Sequence, residues 1–492
     1  MLRTSVACAD AAAGQARVAA AAIGRSRRLR LKTSRKLAGA GATVDREVIF
    51  RQFVDDDLGC ASYLIGCAEA GTAVVVDPAY RIEQYLAEAE KRGVRIVRAL
   101  ETHTHADHVS GHGRLALEHG VPVSVHSAAG ATFAHDPLGD GDEIALGEVT
   151  IRVLHTPGHR PEHCAFAVID GTRAPEPWLV LTGDSLFVGD AARPDLAVEA
   201  RDGAERLFHS LRRLGELADG VEVYPGHVAG SLCGAGMSSK ASSTIGFERR
   251  FNHALTKPDL ESFVGDVAGS LPPRPPTVDR VVELNRGPFV AAPEPVGRFD
   301  RIPEGGVVLD VRAADEFAAG HVPGALNVPA GGSSFATRAG FVLPLDRPIV
   351  LHGSVDEVDA AAVGLRAVGF LELAGFLTDV PATERMEPVG IDEVERRLAA
   401  GEIELVDVRE ADERDRGYIP GSRHIPYRLA RQAAENGLAG GKPVVTICES
   451  GARAAVAASV MAASGIDARP VLHAGVHDWR GETVAFRRCG CS

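Results

Sequence analysis

The stretch ETHTHADHVSGH, residues 101–112, places four histidines (His103, His105, His108 and His112) and Asp107 within twelve positions. Residues 97–101, VRALE, read as a β-strand that stops where the histidines begin, which puts them on a loop at a strand end. On a tight loop, alternate side chains of the run His103 to His108 point at two adjacent positions, each a place for a metal ion. Neutral imidazole and carboxylate donors suit Zn, Fe or Mn rather than Cu(I).

Three more strand-like runs end the same way. IRVL (151–154) leads to HTPGH with His159, LVLTG (179–183) to Asp184, and VEVYPG (221–226) to His227. Strands ending at one sheet edge bring such loops together, and that assembles one site from distant residues. Asp77, which closes the strand-like run TAVVVDP (72–78), is expected to hydrogen-bond the metal loop without ligating. His163 and Cys164 in GHRPEHCAF read as supporting or core residues.

With these residues in place, the segment 47–255 resembles the metallo-β-lactamase fold, an α/β protein built as an αββα sandwich. The resemblance rests on the HxHxDH signature and on His159, Asp184 and His227 at the later ligand positions. It implies two alternatives. All seven residues, His103, His105, Asp107, His108, His159, Asp184 and His227, make a two-metal site of the glyoxalase II kind, where a metal-bound hydroxide attacks a thioester. The subset His103, His159 and Asp184 is a two-histidine, one-carboxylate triad that leaves open positions on one Fe(II), as in the persulfide dioxygenases of this fold. There, His105, Asp107, His108 and His227 support the ligands instead of binding a second metal. LTGDSLFVGDAARPDL (181–196) resembles the dioxygenases, with Arg193 and Asp195 in place and Ala192 where glycine is usual. YPGHVAGSLCGAGMSSK (224–240) resembles dioxygenases fused to sulfurtransferase domains. The resemblance implies that Arg193 orients an anionic substrate. Cys233, six residues past His227, is a candidate thiol at the mouth of the site.

Composition bounds the rest. At 492 residues the chain is too long for one core. Its formal charge is −13, but residues 1–40 hold nine Lys/Arg against Asp10 alone, which leaves −21 on the remainder. An acidic body argues against nucleic acid as a partner, and no apolar run is long enough to span a bilayer. The basic, acid-poor head shares its composition with organellar transit segments, and it is read as a disordered tail of a cytoplasmic protein. The eight cysteines show no disulfide spacing and are expected to be reduced thiols.

Past the proline-rich SLPPRPPTVDR (270–280) lies an internal repeat. Residues 307–329 and 404–426 align at an offset of 97, matching Asp310, Arg312, Glu316, Gly320 and Pro323 with Asp407, Arg409, Glu413, Gly417 and Pro420. In the second copy, KPVVTICESGAR (442–453) reads as strand, loop and helix start, with Cys448 opening the loop and Arg453 closing it. Inward amide groups and the helix N-terminus stabilise a thiolate, and would cradle a persulfide equally well. Residues 388–482, with DVRE, GYIPGS and HAGVHDWRG, resemble rhodanese sulfurtransferases. The Cys-x4-Arg spacing suits sulfur better than the longer loop of the phosphatase relatives. Glu449 departs from the usual basic or neutral residue and makes the loop less welcoming to thiosulfate. The first copy has Gly353 or a neighbour where Cys448 sits, with acids around it, so it reads as a scaffold. The C-terminal pair Cys489 and Cys491 reads as a flexible end.

The expected division is a basic tail over 1–44, a metal domain over 45–270, a linker over 271–295, a degenerate rhodanese-like domain over 296–383 and a rhodanese domain over 384–492. The fusion favours the dioxygenase, since a glyoxalase-type hydrolase has no use for a persulfide carrier. The expected function is oxidation of a low-molecular-weight persulfide by O2 to sulfite on one Fe(II) per chain, with sulfane sulfur passing through Cys448 in sulfide detoxification. The alternative is a two-zinc thioester hydrolase with an accessory sulfurtransferase. Expected partners are small thiols and persulfides, O2, sulfite and thiosulfate, with no membrane; homo-oligomerisation stays open.

Overall fold

The computed structural model describes residues 28–29, 48–228, 238–269, 273–378, 380, 382–438 and 441–485. Its first part is a sandwich of two mixed sheets. The six-stranded sheet runs in the order Val48–Val54, Ala61–Cys67, Thr72–Val76, Arg95–Leu100, Val123–His126, Asp136–Leu138. The seven-stranded sheet includes Glu143–Leu146, Val149–His155, Cys164–Asp170, Leu179–Gly183 and Glu222–Pro225 as consecutive neighbours. Strands Ala61–Cys67 and Cys164–Asp170 are buried along their whole length, as strands covered on both faces must be. Tyr63, Ile65, Val74, Phe166 and Leu181 fill the space between the sheets.

Helices close the outer faces. In Ala200–Leu214 the spacing of Leu207, Leu211 and Leu214 lays one apolar stripe on the second sheet. Tyr85 and Ala89 of Glu83–Arg92 and Leu115 of His112–His119 cover the first. This is the αββα sandwich that the metal-loop signature implies. Arg28–Leu29, inside the segment expected as a tail, pairs in parallel with Glu143 and Ile144. The segment expected as a linker holds the helix Val278–Arg286, whose Asn285 is buried against the metal loop.

Each repeat copy forms a four-stranded parallel sheet with the same order, Leu326–Asn327, Val307–Asp310, Ile349–His352, Gly375–Leu377 in the first and Arg423–His424, Glu404–Asp407, Val444–Ile447, Ala468–Pro470 in the second. The repeated Asp, Arg and Gly have one physical reason. Asp310 pairs with Arg312, which donates to Gly320 O at 3.0 Å; Asp407 pairs with Arg409, which donates to Gly417 O at 2.7 Å. The ion pair staples the strand end to the turn after the next helix. The copies also pack on each other, with Phe341 against Tyr427 at 6.1 Å and the Asn327 amide donating to Ser459 Oγ at 3.0 Å. Among the described residues no helix is long and apolar enough to cross a membrane.

Candidate metal and thiol sites

The strand ends deliver their residues to one place. Nε2 of His103 and of His159 lie 3.9 and 3.6 Å from Asp184 Oδ2, and all three side chains are buried. The outer atom of each is tied. His103 Nδ1 meets Thr102 Oγ1 at 2.9 Å, His159 Nδ1 meets the Arg193 carbonyl at 2.9 Å, and Asp184 Oδ1 accepts from His227 Nδ1 at 2.8 Å. The inner atoms His103 Nε2 and Asp184 Oδ2 are buried without a hydrogen-bond partner among the described residues. A buried polar atom left open while its other end is fixed is what a metal ligand requires, so two imidazoles and one carboxylate here fit a metal ion. Burial, then the neighbouring histidines, holds His103 well below the usual histidine range, so its ring is neutral and able to donate. Burial would raise Asp184, but His227 overrides it and brings the carboxyl down to about 2.

The remaining residues of the loop form two further groups. His105 Nε2 sits 3.1 Å from Glu101 and 3.3 Å from Asp77. Burial alone would lower His105, but the two carboxylates hold it well above the ordinary value, as an imidazolium. Asp77 also accepts from the Thr102 amide at 2.7 Å and Thr102 Oγ1 at 2.8 Å, so it fastens the loop from below. His112 completes this set through Glu101 at 2.9 Å. The other group gathers Asp107, His108 and His227, with His227 Nε2 2.8 Å from Asp107 Oδ2. Cys60 stands among them, its Sγ 3.0 Å from Asp107, 3.5 Å from His108 and 3.4 Å from His227. Cys60, Asp107 and His108 are a compact donor set in their own right.

Two glycines make the approach of these loops feasible. A Cβ on Gly183, which has φ +47°, would lie 2.7 Å from His163 Nε2 and Thr102 Oγ1; one on Gly226 would lie 2.5 Å from Asp184 Oδ1. Each precedes a site residue, so the bare backbone lets Asp184 and His227 come together. Arg193 turns its guanidinium to Asp195 at 2.7 and 2.9 Å, and its carbonyl orients His159. His163 is buried beside His103 and burial lowers it to about 3, while burial pushes the Cys164 thiol up. Cys233 lies outside the described residues.

Sequence reasoning misses Cys60 and Asn285. Nothing in the local pattern ties a cysteine before a strand, or an asparagine in a helix 177 residues on, to the histidine loop. Asn285 Nδ2 donates to the carbonyls of His105 and His108 at 3.0 and 2.8 Å, and its Oδ1 accepts from the Ser110 amide at 2.8 Å. Asn285→Ala strands three buried backbone groups and is expected to cost roughly 2–4 kcal/mol in a denaturant titration, and to weaken metal binding by ~10–100-fold.

The Glu101 network also sets a pH limit. Burial would raise Glu101, but the His105 ring beside it and the hydrogen-bonded His112 bring it down to about 2. A depressed carboxylate stabilises fully above its unfolded value and loses that contribution as pH falls through the folded one. Stability from Glu101 is therefore expected to be level above about pH 5 and to decline below about 4.5 toward about 2. Melting temperatures of Glu101→Gln and wild type, converging toward acid pH, check this.

In the second repeat copy Cys448 follows the strand Val444–Ile447, and it is buried. The Gly451 amide donates to its Sγ at 3.1 Å, just before the helix Ala452–Ala463. Arg453 is paired to both oxygens of Glu413, with Nη2 2.7 Å from Oε1. Glu449, expected to repel anions, is drawn to Arg409 at 3.3 Å and to His477 at 3.2 Å. The first copy puts Gly353 after Ile349–His352, followed by a helix capped by Ser354 and Glu357 instead of a cationic loop. That copy nevertheless reaches the thiol site. Arg338 of its helix Phe335–Val342 shares a face with Phe341, which contacts Tyr427, and its charge interacts with Cys448 and Arg453. Cys489 and Cys491 lie outside the described residues.

Two families meet in this chain. Residues 55–227 match the metallo-β-lactamase superfamily, and residues 298–380 and 390–482 each match the rhodanese-like domain. A solved metallo-β-lactamase from Staphylococcus aureus subsp. aureus COL is 30% identical with a TM-score of 0.63, covering 67% of this chain and 98% of that one. The mitochondrial persulfide dioxygenase ETHE1 of Bos taurus is 31% identical over 250 residues, 50% of this chain and 89% of that protein. The Mus musculus protein of that name is 30% identical over 244 residues, 48% of this chain and 87% of that protein. The chain is thus a metallo-β-lactamase-fold enzyme of the persulfide dioxygenase family, with two rhodanese-like domains fused behind its metal-binding domain.

Proposed function

We propose that the protein oxidises a low-molecular-weight persulfide with O2 and hands sulfane sulfur on through Cys448, in sulfide detoxification. The observation that carries the reading is the convergence of His103, His159 and Asp184, with His103 Nε2 and Asp184 Oδ2 buried and open and the outer atom of each residue tied. These three residues would hold one Fe(II). When bound, iron supplies the redox chemistry by which O2 reacts with a persulfide sulfur. The outer sulfur leaves as sulfite, with two oxygens from O2 and one from water, and the thiol carrier is returned with release of two protons. The chain's own residues fix the ligands: Thr102 holds His103, the Arg193 carbonyl holds His159, and His227 holds Asp184.

In this reading His227 serves to hold the Asp184 carboxylate, its Nδ1 2.8 Å from Oδ1. A two-zinc thioester hydrolase uses that imidazole as a ligand. At the second site a persulfide on Cys448 would be attacked at its outer sulfur by sulfite, giving thiosulfate and the Cys448 thiolate. The Gly451 amide steadies that sulfur as it takes up charge. The test is metal content of anaerobically purified protein together with O2 uptake on adding glutathione persulfide. About one iron per chain with O2 consumed and sulfite formed is the expected result. Two zincs, hydrolysis of S-lactoylglutathione and no O2 uptake would overturn it.

A further inference from the structure

We propose that Arg338, on the cysteine-less copy, is the anion-binding residue of the sulfur-transfer site on the other copy, and that it makes sulfite the preferred acceptor of sulfane sulfur from Cys448. This rests on the sulfur-transfer reading above and extends it to the choice of acceptor.

The surroundings of Cys448 are built by both copies. Its loop leads into the helix Ala452–Ala463, which packs on the first copy's strand Leu326–Asn327. The first copy's helix Phe335–Val342 lies against the turn Tyr427–Leu429 of the second. Three contacts fix that helix. The Ala336 amide donates to Asp57 Oδ2 at 2.8 Å, Phe341 packs on Tyr427, and Arg431 of the second copy donates to the Val342 carbonyl. Arg338 stands between these anchors, three residues before Phe341, so helix geometry turns it to the same interface. There its charge acts on Tyr427, Arg453 and Cys448.

The other cations of the site are neutralised by carboxylates. Arg453 is taken by both oxygens of Glu413, Arg409 by Asp407 and Glu449, and Arg428 lies 3.1 Å from Glu410. Arg338 differs. Among the described residues its guanidinium makes no hydrogen bond and no ion pair, and Asp57, the acid its charge reaches, is bound by the Ala336 amide. The side chain is half-buried, and burial draws its pKa down from the usual arginine value. A cation withdrawn from water without a counter-ion is costly, and an entering anion removes that cost.

The transfer step calls for such a group. Sulfite attacks the outer sulfur of the Cys448 persulfide; the new S–S bond makes thiosulfate, and the electron pair of the old one leaves on Cys448 as thiolate. Both reactants are anions, so repulsion opposes their encounter. A guanidinium that donates two N–H bonds to sulfite oxygens offsets this repulsion and leaves the sulfur lone pair free to attack. The loop itself offers no such donor, because its Glu449 is an acid turned toward Arg409 and His477. The copy that lost the nucleophile thus supplies the charge.

The test uses the full-length protein with Cys448 loaded by inorganic polysulfide and then desalted. Loss of the persulfide is timed with sulfite and, separately, with neutral dithiothreitol. In Arg338→Gln the second-order rate constant for sulfite is expected to fall ~10–100-fold, while that for dithiothreitol stays within about twofold. Arg338→Lys keeps the charge without the planar fork and is expected to recover part of the sulfite rate. Added salt should slow sulfite more in wild type than in Arg338→Gln. A sulfite rate unchanged in Arg338→Gln overturns the proposal. So does an equal fall with both acceptors, which marks a structural role. A Cys448 that takes up no sulfane sulfur removes the sulfur-transfer reading itself, whereas a loaded Cys448 indifferent to Arg338 removes only the anion-binding assignment.

Discussion

Asp184→Asn protein is expected to retain less than about a tenth of the wild-type iron and to consume O2 with glutathione persulfide ~10³-fold more slowly or worse. The amide keeps the shape of the side chain but removes the charge that two imidazoles share. Asp184 Oδ2 is within 3.9 Å of His103 and 3.6 Å of His159, and the whole group is buried, so no water molecule substitutes cheaply for the lost carboxylate. The substitution also leaves His227 without one of its two carboxylate partners. Thiosulfate transfer through Cys448 serves as the control, because that site is built on a different sheet. Parallel loss of both activities with a lowered melting temperature would indicate unfolding instead. Full O2 uptake in this variant would remove Asp184 from the metal centre.

Cys448→Ser protein is expected to lose sulfurtransfer by ~10⁴-fold or more, and to keep its rate of O2 uptake on preformed glutathione persulfide within about twofold. A serine hydroxyl is a poor nucleophile toward sulfur and forms no persulfide, while its size suits the same buried niche. The products should change as well. Wild type supplied with persulfide is expected to accumulate thiosulfate, and the variant sulfite, which chromatography of the two anions distinguishes. Thiosulfate formed by the variant at the wild-type rate would place the sulfur-transfer step elsewhere in the chain.

Much of this molecule is legible from its primary structure because the signals are local. A strand that stops before a histidine or aspartate is visible residue by residue, and four such stops point to one site, although Arg95–Leu100 reaches it from one sheet of the sandwich and the other three strands from the second. The repeat at an offset of 97 is equally plain, and the Asp–Arg–Gly staple explains why those residues recur in both copies. The absence of cysteine from the first copy is a matter of reading letters.

The tertiary structure decided the rest, since the deciding contacts join residues far apart in the chain. Seven ligand-type residues are divided into an open triad, an imidazolium braced by Asp77 and Glu101, and a cluster around Cys60 only when the strands are stacked. A segment rich in proline reads as a linker, yet its helix Val278–Arg286 carries the asparagine that pins the metal loop, because a hydrogen bond of that span leaves no periodic trace. The cysteine-less copy reads as a scaffold because its nucleophile is gone. Packing of its helix Phe335–Val342 against Tyr427 is what brings Arg338 to the thiol site, and no single segment of sequence contains both sides of that interface.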